Sequence, residues 1–203
     1  MMLAPPSVCV SSLPHTSTLR LRGGMHVKTC NSFSSLTNTV IFADTNLIIN
    51  YPLNAALKAN VDDQKERGLK FYVTQAVSKE FFSSSTVTLP AGFQLCQSPQ
   101  DFQFSEKILS ELVAVLNLEE GGVKKFGNDL TILVEACYSA KISLLGPYEI
   151  QRNFVFATGN MKFLRRCLGD KEKRSKVRSV LERYGLNLIP VISVTGDTVK
   201  NYY

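Results

Sequence analysis

Four short runs rich in β-branched and aromatic residues, Thr39–Ala43, Lys70–Thr74, Asn153–Thr158 and Leu186–Val194, constrain this chain more than anything else in it. Between them the apolar residues fall at helical spacing. Ile108, Leu109, Leu112, Val115 and Leu116 share one face of a helix over about Phe102–Leu118, and Val177, Val180, Leu181 and Tyr184 repeat at i, i+3, i+4, i+7. Strands that alternate with helices form a parallel sheet covered on both faces. The expected fold class is therefore α/β, a three-layer α/β/α arrangement around a central parallel sheet of four to five strands.

The remaining segments follow from local signals. A helix is expected from about Asn46 to Leu57, then a polar connection, residues 60–68, stopped by Gly68. A helix near Gln75–Phe82 follows the second strand, and residues 83–92 break regular structure, punctuated by Pro90 and Gly92. Residues 119–127, with paired glycines and paired lysines, read as a loop before a helix capped by Asn128 and running to about Ala140. Gly159 and a short helix follow the third strand, and Gly185 ends the last helix.

Composition divides the chain. Residues 1–43 contain no Asp or Glu but twelve Ser or Thr, with Arg20, Arg22 and Lys28. That is the composition of an organelle transit peptide or of a disordered lead-in, so residues 1–38 read as a tail and 39–203 as one domain. The five cysteines are an odd number without a CxxC pair, which favours free thiols in a reducing, intracellular compartment: the cytoplasm, or an organelle if the tail is a targeting sequence. No apolar run approaches the roughly 18 residues of a membrane span. His15 and His26 both lie in the tail, which argues against Ser–His or Cys–His catalysis in the domain. No phosphate-binding glycine motif occurs, which argues against a nucleotide cofactor.

The net charge of +6 is uneven, with eight basic residues against two acids between Lys162 and Arg178. Such a patch is the footprint of a phosphate-backbone binder or simply a solvated helix face. Lys162, Arg165, Arg166, Lys173, Arg174, Lys176 and Arg178 are the candidate nucleic-acid contacts.

In open α/β sheets ligands sit beyond the carboxyl ends of the strands. There the first strand delivers Asp44 and Thr45, the helix after the second carries Glu80, Asp129 begins the next-but-one helix, and the third strand ends in Thr158-Gly159-Asn160. Each has a plain structural reading. Asp44 can cap the following helix, Asp129 can be an acid favoured by a helix dipole, Glu80 can be a surface acid, and Glu135 reads as peripheral. Acids brought together raise each other's pKa unless a cation neutralises them. An all-oxygen set of this kind suits Mg²⁺ or Mn²⁺.

Asp-Thr-Asn after a first strand, Val-x-x-Glu after a second, Asn-Asp-Leu opening a helix and Thr-Gly-x-x-x-Phe after a later strand resemble the PIN-domain family over residues 39–194. These are small α/β/α metal-dependent nucleases that include the toxin ribonucleases of bacterial toxin–antitoxin pairs. The resemblance implies Asp44, Glu80 and Asp129 as metal ligands, with Thr45 and Thr158 in support. It implies a ribonuclease that hydrolyses phosphodiester bonds, in single-stranded RNA, with a protein inhibitor or a second copy of the chain as further partners. The family's usual fourth acid is Asn160 here. That departure favours the alternative, a catalytically weakened or inactive RNA-binding or protein-interaction module.

Overall fold

The structure, a computed structural model, describes residues 39–84, 88–96, 102–144, 153–195 and 198–201. The tail expected at residues 1–38 lies outside them. Within them, the first strand, β1 (Thr39–Ala43), is buried at every position. Successive side chains of a strand point to opposite faces, so burial at each one means that both faces of the sheet are covered. The same holds for β4 (Asn153–Thr158) after its first residue. The fold is a three-layer α/β/α sandwich.

Two helices follow β1, α1 (Thr45–Leu53) and α2 (Ala55–Glu66). The expected single helix is thus two. Pro52 lies in the last turn of α1, and Asn54 leaves the helix to cap α2, its side chain accepting from the Leu57 N–H at 3.0 Å. The expected polar connection is the second half of α2, which buries Leu57, Val61 and Gln64. One buried residue per turn is too narrow a stripe to stand out among so many charges. Gly68 ends the segment with φ at +87°, a left-handed conformation that favours glycine.

Strand β2 (Lys70–Val73) leads to α3 (Gln75–Ser84), and β3 (Phe93–Leu95) was not foreseen because three edge residues carry almost no pattern. The chain then crosses back through α4 (Phe102–Val115) and α5 (Glu120–Leu144). All of residues 119–127 but the first are therefore helical rather than a loop, and Asn128 lies inside α5 instead of capping it. Its three glycines, Gly121, Gly122 and Gly127, cost the helix about 1 kcal/mol each. Burial of nearly every α5 side chain from Leu130 to Ala140 outweighs that.

After β4 come α6 (Met161–Cys167), α7 (Lys171–Arg183), β5 (Val191–Thr195) and β6 (Thr198–Asn201). The last expected strand is shorter than its apolar run, since residues 186–190 lead into β5 without pairing as strand. β6 is the one antiparallel member among the described strands, paired with β5.

The sheet order is β3-β2-β1-β4-β5-β6, so the four to five strands expected are six. From β1 the chain builds outward to β2 and β3, then returns to place β4 on the other side of β1. The β1–β4 boundary is where the winding reverses, and there the loops leaving two parallel strands diverge and open a crevice at their carboxyl ends. Ala43 and Ala157 are register partners, so Asp44 and Thr158 emerge side by side at that point. No helix among the described residues is long and apolar enough to cross a membrane.

Candidate active site

Asp44 is 1% exposed, and its carboxylate collects donors from both sides of the crevice. Oδ1 accepts from the Leu47 N–H at 2.8 Å, which caps α1, as the plain reading required. Oδ2 accepts from the Thr158 hydroxyl, and the Asn46 side chain and Gly159 backbone also hydrogen bond to the carboxylate. Burial still prevails over these donors and pushes the Asp44 carboxyl up to about 6.

The β4 side continues the chain of bonds. Thr158 Oγ1 accepts from the Asn160 N–H at 3.0 Å. Asn160 caps α6 through Oδ1, which accepts from the Phe163 N–H at 3.1 Å. Its Nδ2 turns the other way and donates to both Asp129 oxygens, at 3.1 and 3.2 Å. The Asp129 carboxyl is also pushed up to about 6, mainly by burial and further by the charges of Asp44 and Glu80, against the lowering pull of Asn160. Asp129 is therefore close enough to feel the charge of both other acids.

On the other side, Thr45 Oγ1 and Asn128 Nδ2 each donate to Glu80 Oε2 at 2.5 Å. Because Thr45 follows Asp44 and Asn128 precedes Asp129, the two arms close into a ring. It runs Asp44, Thr158, Asn160, Asp129, Asn128, Glu80, Thr45 and back to Asp44. Gly159 belongs to the turn that makes this possible, since a Cβ there would stand 3.2 Å from the Val194 carbonyl.

The structure thus brings Asp44, Thr45, Glu80, Asp129, Thr158 and Asn160 into one ring built from β1, α1, α3, α5 and β4. Asp129 is in mid-helix, so a favourable first-turn position does not account for it. Two residues were missed. Asn128 was hidden by its reading as a cap. Glu135, only 9% exposed, accepts from the Ala76 N–H at 2.9 Å through Oε2 and so ties α5 to the start of α3. Its signal was available, a single acid in the apolar run Ile132-Leu133-Val134-Glu135-Ala136.

The basic residues divide. Lys162 is exposed two positions after Asn160, and Arg165 is exposed further along α6. Arg166 donates to the Asn117 carbonyl at 3.1 Å, tying α6 to the end of α4. On α7, Lys173 pairs with Asp170 at 3.1 Å, Lys176 with Glu172 at 2.7 Å, and Arg174 donates to the Leu168 carbonyl at 2.9 Å. Arg178 is exposed on the same helix. Because β5 runs parallel to β4, α7 leads away from the carboxyl ends of the strands and carries these cations with it.

The donors around the ring are all oxygens or amides, the chemistry that suits a hard divalent cation. Three carboxylates, two of them buried at a cost, are also what such a charge relieves. Yet among the described residues no group of three or more His, Cys, Asp or Glu stands close enough together to hold a metal ion. No protein-family model matches the chain, and no curated protein matches it.

Proposed function

We propose that this chain is a PIN-type ribonuclease that hydrolyses phosphodiester bonds in single-stranded RNA with the help of Mg²⁺ or Mn²⁺. The observation that carries the reading is the ring itself. Three acids from elements up to 85 residues apart, Asp44 to Asp129, converge at the topological switch point, where α/β sheets bind their ligands.

Asp44, Glu80 and Asp129 would hold the cation, with a modest inward movement of Glu80 from its bonds to Thr45 and Asn128. Bound there, the cation would supply nucleophile activation and charge neutralisation at the scissile phosphate. The chain's own groups do the rest. Thr158, Asn46 and Gly159 hold the Asp44 carboxylate in place, Asn160 orients Asp129, and Lys162 stands where a phosphate backbone entering the crevice would pass. Without a histidine in the domain, activation of the attacking water would fall to the cation and the carboxylates that hold it.

One observation favours a second reading. Asn160 closes the ring without a cation, as a protein-interaction or RNA-binding module that had lost its chemistry would. Cleavage of a fluorescent single-stranded RNA in Mg²⁺ or Mn²⁺ decides between them. The nuclease reading expects cleavage by the wild type and none by Asp44→Ala; equal rates, or no cleavage by either, would sink it.

A further inference from the structure

Beside the ring lies a cavity of about 490 Å³ between α3, α4 and α5. That is within the range of small-ligand clefts, roughly 300–1,000 Å³. Glu80 and Asn128 line it as well as belonging to the ring, so the cavity adjoins the ring. Lys79 and Ser105 also line it, together with Ala76 and Glu135. With hydroxyls, amides and charges along its walls and, among the described residues, no aromatic or large aliphatic side chain, it suits a polar ligand.

Glu135 gives the cavity a direction. Its Oε2 is used by the Ala76 N–H, while among the described residues Oε1 receives no hydrogen bond. Glu135 is largely buried and lines the cavity, so the cavity is the space from which a donor to Oε1 would come. Lys79 is exposed, a cation suited to a phosphate that stays outside.

We propose that this cavity takes the base of a nucleotide flanking the phosphate held at the ring, and that Glu135 selects guanine. The inference rests on the ribonuclease reading for its substrate class. Guanine presents two adjacent donors, N1–H and the 2-amino group, which match a carboxylate. Adenine and cytosine offer one amino group beside a ring acceptor, and uracil offers one N–H between two carbonyls that a carboxylate repels. Single-stranded RNA is commonly read in this way, through the Watson–Crick edge of a splayed base.

The test has one arm that needs no cleavage. Guanosine and uridine 5′-monophosphates are titrated into the full chain by calorimetry, with Glu135→Gln and with Ser105→Phe, which fills the cavity from α4 without altering Glu135. Hydrogen bonds to a charged group are worth on the order of tenfold or more in affinity. The guanine nucleotide should therefore bind at least about tenfold tighter than the uridine nucleotide, and both variants should lose the difference while melting as single transitions. Equal binding of the two nucleotides by the wild type overturns the proposal, as does a preference that survives in both variants.

The second arm compares cleavage of RNAs that differ by one guanine or uracil beside the same phosphate. A guanine-selective pocket in a protein that cleaves neither RNA upholds the pocket and removes the nuclease. Cleavage of both at equal rates, with equal nucleotide binding, upholds the nuclease and removes the pocket.

Discussion

Replacing Asp44 by asparagine isolates the cost of its buried charge. Its carboxyl titrates at about 6 in the folded protein against 3.8 for the ordinary side chain. An acid whose folded pKa is raised binds its proton more tightly in the native state. Its contribution to stability is therefore fully present below 3.8 and is lost as pH rises through about 6. At about 1.36 kcal/mol per pH unit, the interval from 3.8 to about 6 corresponds to about 3 kcal/mol lost by pH 8. Asp44→Asn behaves like the protonated acid and escapes that loss. It keeps an oxygen for the Leu47 N–H but turns an NH₂ toward Thr158 and Gly159, where acceptors were needed, at about 1–2 kcal/mol. The variant should therefore be less stable than the wild type at pH 4 and more stable at pH 8, by about 1–2 kcal/mol each way. Urea unfolding in chelator at the two pH values measures this, and the difference between the proteins cancels the other carboxylates. Manganese should then raise the wild-type midpoint and leave the variant's unchanged. A wild-type minus variant difference that is the same at both pH values would refute the reasoning, because the Asp44 charge would then carry no burial cost.

Asn160→Asp puts two acceptors against Asp129 where an amide now donates, so it should cost about 1–3 kcal/mol in chelator and recover on adding Mn²⁺. Melting with and without metal checks this, and a loss that metal does not reduce would separate residue 160 from any cation site. Thr158→Val removes a donor to Asp44 and an acceptor for the Asn160 N–H. The Asp44 carboxyl, followed by carbon NMR, should titrate higher than in the wild type, and an unchanged midpoint would count against the bond. Replacing Lys171, Lys173, Arg174, Lys176 and Arg178 by serine tests whether α7 binds RNA. Fewer counterions released should flatten the salt dependence of binding, whereas an unchanged slope would leave α7 a solvated face held by its pairs with Asp170 and Glu172.

The sequence showed most where burial acts on consecutive residues. β1 and β4 are read correctly because both faces are covered and every position must be apolar or satisfied. The same condition makes Asp44 conspicuous, as the acid that ends such a run. α2 and the first third of α5 were missed for the opposite reason. Their helical stability comes from a narrow buried stripe or from burial further along the same helix, and neither alters local composition enough to overcome charged or glycine-rich stretches. β3 and β6 are edge strands whose ladder partners lie far off in sequence or across a reversal. Glu135 carries the same signal as Asp44, an acid in an apolar run. On a helix, however, that signal is ambiguous until it is known that α5 is buried nearly all round.

Asn160 is the residue on which the functional readings divide, and the ring shows why. An acid at that position would face Asp129 with like charge and leave it without a donor, so the site would depend on a cation for its stability. The amide removes that dependence: it caps α6 with its oxygen and holds Asp129 with its nitrogen at the same time. The amide therefore spares Asp129 the repulsion a fourth acid would add, and it offers a cation no charge in return. If the protein is a nuclease, its activity should therefore follow the supply of divalent cation more steeply than that of an Asn160→Asp variant. If it is a binding module, the same substitution should alter stability without creating a dependence on metal at all.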